Sequence, residues 1–383
     1  MTYLTKSKFK LKFYFLLATC IFISSVSFSQ TDYQPLAIDL NDSIALNEVI
    51  DSQIKENYIF SGLATYLNQV QFYLVDSNVY SIDEGKPIKL NDNQLFAISG
   101  RYKVLLITAP NSTISIDAQN RNVLINTLGT NTKSVIISKD ELKNYSANLN
   151  KIRYNQLWAP FAYLARLLED FLVSIKSITS LSWGYSILLF ALLLKIILIP
   201  ISTITAKSQE KVSKINSLLQ PKLKAIKSNY DGEEAHNKIM QAHKDLGVTP
   251  FFSLKPMLSF FIQIPVLITV FNTLGEMPQL VSQPFLWFDD LSKPDMLLPL
   301  GFNLPFFGSY LNLMPILMTI ITLITIVFFK DHHASSSDNK KQKLKLYFIA
   351  LAFLILFFPF PAAMVMYWAM ANLFHFIQQK LIK

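Results

Sequence analysis

Five long apolar segments occupy the second half of the chain and predict helices that cross a membrane. A helix needs about 20 apolar residues to span the hydrocarbon layer of a bilayer. The segments run from about Trp183 to Ile204, Pro256 to Leu274, Leu311 to Phe329, Leu346 to Phe358, and Ala362 to Ile377. The fourth segment is short for a full crossing. The pattern predicts an α-helical multi-spanning membrane protein with a five-helix core over residues 182–383.

Residues 151–181 have the pattern of a single amphipathic helix. Apolar residues recur at spacings of three and four, at Leu157, Phe161, Leu164, Leu168, Phe171 and Ile175. This spacing is typical of one apolar stripe on a helix. Arg166, Glu169 and Asp170 fall on the other face. Because the segment is too polar to cross a bilayer, we expect it to lie along the outer membrane surface.

Residues 30–150 change in character and predict a β-rich domain. Short β-prone runs alternate with turn-forming residues at spacings near ten. The runs are Val70 to Val75, Gln94 to Ser99, Lys103 to Thr108, Thr113 to Ile116, Asn122 to Asn126, and Ser134 to Ser138. This arrangement favours a small antiparallel sandwich. We find no nucleophile with a base, metal cluster or phosphate loop there, so an accessory or docking role is the simplest interpretation.

Residues 1–29 have the features of a targeting segment. Four lysines precede the apolar run from Phe13 to Ile23, and small residues lead to Ser29. This order is typical of a secretory signal peptide, with cleavage expected after Ser29. Two alternatives stay open: an uncleaved anchor helix, and a lipoprotein leader cleaved before Cys20. All three place the β-rich domain outside the cytoplasm.

The distribution of lysines orients the predicted helices. The segments between the first and second helices, and between the third and fourth, are rich in lysine, whereas residues 275–297 carry one lysine and four acidic residues. Loops rich in Lys and Arg stay in the cytoplasm. The core therefore begins outside and ends in the cytoplasm, in agreement with an exported N-terminal domain. Membrane topology explains the net charge of +9, and we predict no nucleic-acid partner.

Residues 207–250 predict a helical hairpin in the cytoplasm. Val212, Ile215, Leu219, Leu223 and Ile226 are spaced like one face of a helix. Asn229 to Gly232 is a turn signal, and Glu233 to Leu246 reads as a second helix.

Lys195 is a cation inside the first predicted span. Such a charge costs roughly 2.5–3.5 kcal/mol near the bilayer centre on insertion scales. One interpretation is that the side chain extends to the cytoplasmic surface. However, Lys195 precedes Ser202 by seven residues, or about 10 Å, which exceeds the reach of a lysine stem. We therefore favour a functional cation in a water-filled recess.

Polar residues on other spans support such a recess. Trp368, Asn372, His375 and Gln379 form one stripe on the fifth span, and further polar positions are Ser202, Thr203, Ser259, Gln263, Thr319, Thr322 and Thr325. For the hydroxyl groups, hydrogen bonding between helices is the competing interpretation, and we favour it for the threonines. Together these side chains predict a hydrophilic groove that opens to the cytoplasm and stops partway across the membrane.

The residue pattern disfavours an enzyme and predicts no cofactor or metal. The predicted spans contain no Asp or Glu, there is no P-loop pattern, and Cys20 is the one cysteine. His332 and His333 are adjacent but are best read as part of a solvated loop. A secondary transporter of a small solute is the alternative function, although we see no internal symmetry that would support it.

Several motifs, taken in order, resemble the YidC/Oxa/Alb family of membrane protein insertases. They are Trp183-Gly184-Tyr185-Ser186, Leu194 to Pro200, Leu219 to Lys222, Thr249-Pro250, Pro256-Met257-Leu258, Gln263 to Val266, Phe285 to Ser292, Phe360-Pro361-Ala362, Tyr367-Trp368, and Ile377-Gln378-Gln379. Each motif is weak alone. The resemblance covers roughly Trp158 to Lys383 and leaves the β-rich domain outside it.

The resemblance implies an insertase and chaperone in the bacterial inner membrane. Its groove would receive client transmembrane segments and release them sideways into lipid, alone or with the Sec translocon. The implied partners are client membrane proteins, the translocon, membrane lipids, and the ribosome or the signal-recognition-particle receptor through the hairpin. Lys195 matches the family's groove cation, usually arginine, and keeps the charge without the planar fork of donors. Gln263 and Trp368 match other groove positions, and with Ser202, Asn372 and Thr322 they complete the predicted client-binding set.

Overall fold

The computed structural model describes residues 44–45, 71–82, 87–117, 122–126, 133–304, 307–328 and 336–381. The predicted targeting segment at residues 1–29 lies outside the described residues. The chain forms two compact units. One comprises Met1–Ser180 and Gly275–Gln279, and the other comprises Leu181–Leu274 and Leu280–Lys383.

The described part of the first unit contains two antiparallel sheets. The strands are β1 (Ile44–Ala45), β2 (Gln71–Val75), β3 (Val79–Ile82), β4 (Ile88–Lys89), β5 (Leu95–Ser99), β6 (Lys103–Thr108), β7 (Thr113–Asp117), β8 (Asn122–Asn126) and β9 (Lys133–Ser138). The first sheet has the order β3-β2-β5-β6-β9, and the second has the order β1-β8-β7-β4. The six predicted strands are all present, and the β-rich character of this domain is confirmed. The short strands β1, β3 and β4 were not predicted.

The five-stranded sheet buries both of its faces. Successive side chains of a strand point to opposite faces, and in β6 both sets are buried. Leu105 and Ile107 pack in one cluster with Leu90, from the chain before β5, and Ile114, from β7. Val104 and Leu106 pack in another cluster with Leu142, Leu149 and Ile152. Short helical segments, including α1 (Leu142–Tyr145), cover this second face of the sheet.

The predicted amphipathic helix is present as α2 (Ala159–Thr179). Its buried face includes Leu168 and Ile175, as the spacing predicts, together with Ala162, Ala165 and Leu172. The prediction that Glu169 lies on the polar face is wrong, because this residue is almost fully buried.

Glu169 is buried because it meets partners that spacing along one helix cannot reveal. Its carboxylate pairs with the Arg153 guanidinium and accepts a hydrogen bond of 2.6 Å from the Tyr154 hydroxyl. Burial alone would lower the pKa of Arg153, but the Glu169 carboxylate raises it above its usual value. Burial first, and then the same carboxylate, raises the pKa of Tyr154 well above its usual value. A buried charge needs such a partner to be tolerated.

Gly275–Gln279 belongs to the first unit and is held there by buried polar contacts. The Lys139 ammonium lies 2.9 Å from a Glu276 carboxylate oxygen, and both side chains are buried. The Arg101 side chain donates to the Gly275 carbonyl at 2.8 Å, and Gln279 donates to Glu169 at 3.3 Å.

The second unit consists mainly of helices. They are α3 (Trp183–Asn229), α4 (Gly232–Asp245), α5 (Lys255–Glu276, of which the last two residues belong to the first unit), α6 (Leu313–Phe328), α7 (Ser336–Phe357) and α8 (Ala362–Leu381). Each predicted apolar segment overlaps a helix, although Leu311 lies in β11 (Gly308–Leu311) and Phe358 follows the end of α7. By length and composition, α3 is the one helix in the described chain that could cross a membrane, and Ile264–Glu276 and Leu313–Phe328 are shorter apolar helices.

Helix α3 continues without a break from the first apolar segment into the hairpin, so the two predicted features belong to one helix. Its 47 residues correspond to about 70 Å. It contains Pro200 and Pro221, each of which removes one helical hydrogen bond. The hairpin itself is present: α3 ends at Asn229, α4 begins at Gly232, and Leu219 packs with Ala242 and Phe252.

Three helices of this unit run in the same direction. Along α3 and α8, Phe190 meets Tyr367, Lys195 meets His375, and Ser202 meets Gln378. Along α6 and α8, Thr322 meets Asn372, and Phe328 meets Phe376. The contact pairs advance in the same order on both helices, so α3, α6 and α8 are parallel. This is the relationship that the alternating orientation predicts for the first, third and fifth segments.

The connection between α5 and α6 caps the starts of two helices. The carbonyls of Lys293 and Leu291 accept hydrogen bonds of 2.7 and 3.0 Å from the backbone of Ala362 and Ala363, at the start of α8. Asp295 accepts a hydrogen bond of 2.7 Å from the backbone of Met314, at the start of α6. The first N–H groups of a helix lack partners within it, so this loop supplies them.

The same connection contains a β-hairpin that was not predicted, formed by β10 (Leu298–Leu304) and β11 (Gly308–Leu311). The two strands are antiparallel and form a two-stranded sheet.

Candidate functional site

Three pairs of polar side chains link α8 to α3 and α6. Lys195 Nζ lies 3.1 Å from His375 Nδ1. Gln378 donates to the Ser202 hydroxyl at 2.8 Å, and Asn372 donates to the Thr322 hydroxyl at 3.3 Å. The three α8 residues lie within six positions, or about 9 Å of helix. Four predicted site residues therefore meet at α8. Lys195, Ser202 and Thr322 contact this helix, and Asn372 lies on it.

The contact between Lys195 and His375 has only one chemical arrangement while lysine carries its charge. An ammonium group has hydrogens to donate and no lone pair, so it must donate. His375 Nδ1 must then accept, which requires a neutral imidazole with its proton on Nε2. Within the described residues, no carboxylate lies within ion-pair distance of Lys195. The half-buried cation is therefore held by a neutral partner, and its charge is not cancelled.

Trp368 presents an apolar ring with a buried polar atom. Its ring packs against Phe271, Phe353 and Phe357, with centroids 5.7, 5.8 and 5.6 Å away. Its Nε1–H is buried and has no hydrogen-bond partner among the described residues. Most buried donors in proteins are paired, so this N–H is a candidate contact for a bound molecule.

The threonines of α6 mostly satisfy their hydroxyl groups within their own helix. Thr319, Thr322 and Thr325 each donate to the carbonyl four residues earlier, at 2.8, 3.0 and 3.0 Å. Thr322 also accepts from Asn372. Among the described hydrogen bonds, the predicted bonding between helices is therefore found for Thr322 and not for Thr319 or Thr325.

Three predicted positions lie outside the described side chains. The side chains of Gln263 and Gln379 lie outside the described part of the chain, as does that of Ser259. The polar contact that we did not predict is made by Gln378, one position before Gln379. The stripe from Trp368 through His375 can continue at either residue, because positions three and four apart share a helix face.

Two of the motifs, one at the start of α3 and one in the connection between α5 and α6, meet at an aromatic cluster. The Tyr185 ring packs edge-on against Phe285 with centroids 5.0 Å apart, and Phe285 lies 6.4 Å from Phe288. Trp287 donates from its indole nitrogen to Asp295 at 3.1 Å. The cluster and its hydrogen bond fix the loop that caps α6 and α8.

A sequence profile of the family described as "60Kd inner membrane protein" matches residues 174–383, which is more than half of the chain. The chain is 32% identical over 200 residues to "Membrane protein insertase YidC" of Chlorobium luteolum, a match that covers 52% of this chain and 32% of that relative. It is 32% identical over 247 residues to the protein of that name from Chlorobaculum parvum, covering 63% of this chain and 40% of the relative.

The matched region therefore spans between about a third and two fifths of the length of these relatives. A solved structure, "Active YidC insertase crystal structure with the first transmembrane domain resolved", aligns with a TM-score of 0.38 at 18% identity, covering 80% of this chain and 82% of the other.

Proposed function

The chain belongs to the 60Kd inner membrane protein family, and from this premise we propose that it is a membrane protein insertase and chaperone of the inner membrane. In this proposal it receives client transmembrane segments in a hydrophilic groove that faces the cytoplasm, and it releases them sideways into the bilayer. The observation that carries the proposal is the set of polar pairs along α3, α6 and α8, at positions where the surrounding helices are apolar.

The groove would act by shortening the apolar barrier that a client must cross. A polar segment that leaves water loses hydrogen bonds, and each one left unsatisfied in hydrocarbon costs several kcal/mol. The side chains of Ser202, Gln378, Thr322 and Asn372 offer donors and acceptors along that path. Trp368 Nε1 adds a buried donor without a partner among the described residues.

Lys195 would attract acidic residues near the end of a client. Its charge is unneutralised by any described carboxylate, and a neutral imidazole orients it. A lysine acts as a point charge and lacks the planar fork with which arginine grips a carboxylate. We therefore expect the attraction between Lys195 and a client to depend on the client's charge more than on the geometry of the contact.

Release into lipid would need no nucleotide. Burying apolar surface contributes about 0.8 kcal/mol for each methylene group, so a client segment of about 20 apolar residues supplies its own driving force. The proposed partners are client membrane proteins, the Sec translocon, and the ribosome or the signal-recognition-particle receptor at the α3–α4 hairpin. The proposed topology is multi-pass, with the β-rich domain outside the cytoplasm and the C-terminus inside.

The test is rescue of a bacterium depleted of its own insertase. Cells receive wild type, Lys195→Arg, Lys195→Ala or the control Lys207→Ala, which removes an exposed cation from the same helix. Insertion of a small client is followed by protease protection at equal expression. We expect insertion with wild type, Lys195→Arg and Lys207→Ala, and loss with Lys195→Ala.

The outcomes separate the function from its mechanism. If correctly oriented wild type inserts no client, the insertase proposal fails, and uptake assays of small solutes would then address the transporter alternative. If Lys195→Ala rescues as well as wild type, the insertase function stands and the role of Lys195 is wrong.

A further inference from the structure

The hairpin formed by β10 and β11 carries no charge and exposes large apolar side chains. Leu, Phe and Tyr occupy eight of the fourteen positions from Leu298 to Leu311, and no Asp, Glu, Lys or Arg is among them. Leu298, Phe302 and Tyr310 are 54%, 60% and 41% exposed. Large apolar side chains exposed together in one short segment are typical of an interaction site in a folded protein. A hairpin facing water would be expected to carry polar residues on its open side.

The base of the hairpin is fixed, so its exposed side chains are held in a defined place. The backbone N–H of Leu297 donates to the carbonyl of Leu311 at 3.0 Å. Asn312 accepts from the backbone of Met296 at 3.0 Å and donates to the carbonyl of Phe358 at 2.7 Å. The Phe307 ring packs edge-on against Phe358 with centroids 4.6 Å apart. These contacts tie the hairpin to the first residues of α6 and the residue that follows α7.

The hairpin is continuous with a helix whose surface suits lipid. Helix α6 begins at Leu313, two residues after β11 ends. Its exposed side chains include Ile320, Ile324, Val327 and Phe328. Apolar residues exposed on a helix of this family are expected to face hydrocarbon. The hairpin therefore leads directly into a helix whose second half exposes apolar side chains.

Backbone hydrogen bonding limits how deep the hairpin can lie. A two-stranded sheet leaves one edge of each strand unpaired. Unpaired N–H and C=O groups are not tolerated in the hydrocarbon region but can bond to water and headgroups at its boundary. Aromatic side chains are enriched at that boundary. The interfacial layer is therefore the depth that suits both the unpaired backbone groups and the aromatic side chains.

We propose that the β10–β11 hairpin inserts Leu298, Phe302 and Tyr310 into the interface of the outer membrane leaflet, and that its partner is the lipid surface. The inference rests on the proposed function only in taking the chain to be held in a bilayer. Because the hairpin has no charged residue, insertion depends on apolar burial and not on the charge of the lipid headgroups. It fixes the outer ends of α6 and α7 at a set depth.

The test measures lipid contact directly and needs no client. The full chain, with Cys20→Ser, receives Phe302→Cys or, as a second reporter, Tyr310→Cys, and each is labelled with an environment-sensitive fluorophore. The control is Asp289→Cys, an exposed position in the same loop. The labelled proteins are reconstituted in vesicles of phosphatidylcholine, with or without phosphatidylglycerol, and spin-labelled lipids quench at shallow or deep positions.

We expect blue-shifted emission from Phe302→Cys and Tyr310→Cys, stronger quenching by shallow than by deep spin labels, and equal quenching in both lipid mixtures. The Asp289→Cys label should stay water-like. The proposal is overturned if both hairpin labels behave like the control, or if their emission is blue-shifted but unaffected by quencher lipids, which would indicate a protein partner. Quenching in a protein that inserts no client would sink the insertase proposal and leave this one standing.

Discussion

Gly184 lies against the ring of Phe285 so closely that a Cβ on the glycine would come within 2.0 Å of the ring carbon Cγ. Gly184 is the second residue of α3, and Phe285 belongs to the loop that caps α6 and α8. The contact therefore requires a residue without a side chain at this point. It explains physically why the motif around Trp183-Gly184 and the motif beginning at Phe285 occur in one protein.

Substitution of this glycine should destabilise the second unit. Gly184→Ala places a methyl group inside the volume of the Phe285 ring, and overpacking of this kind costs about 1–3 kcal/mol. We expect a lower Tm for Gly184→Ala, measured on the purified chain in detergent.

A double-mutant cycle identifies the ring as the cause. Phe285→Ala removes the obstacle, so Gly184→Ala should cost clearly less in that background. If the two substitutions are additive, the contact does not limit the size of residue 184.

His375 should matter for insertion through its hydrogen bond to Lys195. His375→Phe removes the acceptor, and a hydrogen bond to a charged group is worth about 1.5–3 kcal/mol, or roughly tenfold or more in an equilibrium. His375→Gln keeps an acceptor oxygen. We expect a marked loss of client insertion with His375→Phe and a small loss with His375→Gln, in the protease-protection assay. Equal losses with both variants would show that the ring itself matters and the acceptor does not.

The buried pair of Arg153 and Glu169 should be costly to break. Glu169→Gln leaves the Arg153 charge buried without its main partner, and breaking a buried pair costs about 3–5 kcal/mol. We expect a large fall in the thermal stability of the first unit, followed by the fluorescence of its tyrosines. The matched control is Asp170→Asn, whose half-exposed carboxylate lies 3.9 Å from Arg153 and should contribute about 0–1 kcal/mol.

The cap of α6 supplies a further test. Asp295→Ala leaves two donors without an acceptor, the Met314 N–H and the Trp287 indole N–H. Losing a buried acceptor costs about 1–3 kcal/mol for each donor left unpaired. We expect a lower Tm for Asp295→Ala and an unchanged Tm for Asp289→Ala, which alters an exposed carboxylate nearby. Similar values for both variants would contradict the capping role.

Most helices and strands were predictable because their signals are local. The apolar length of the segments placed α5, α6 and α8, and continuous runs such as Val104 to Ile107 marked strands buried on both faces. The hairpin turn followed from Asn229 to Gly232. In contrast, the apolar segment that ends near Ile204 did not reveal that the same helix continues to Asn229. A change from apolar to polar residues does not end a helix, and the residues after Thr205 are good helix formers without a stop signal.

The unpredicted features depend on contacts between distant parts of the chain. The β10–β11 hairpin contains Pro299, Gly301 and Pro305, which interrupt a strand pattern, and it is closed by Asn312 and Phe358. The candidate site was only partly predictable, because its residues also meet through contacts between distant parts of the chain. A cation inside an apolar run identified Lys195, and helical spacing identified Asn372, but neither signal could show that Lys195 meets a residue 180 positions later.

Helix α3 is one long, continuous helix, and its length makes it a stiff element of the protein. At about 70 Å, this helix is more than twice as long as the hydrocarbon layer of about 30 Å is thick. A force applied where α3 meets α4 is transmitted along one continuous backbone toward Lys195, with no flexible joint between separate helices. The helix bends most easily at Pro200 and Pro221, because one helical hydrogen bond is missing at each proline. Pro200 lies five residues from Lys195, so bending of the helix at this proline would shift the cation relative to the α3–α4 hairpin.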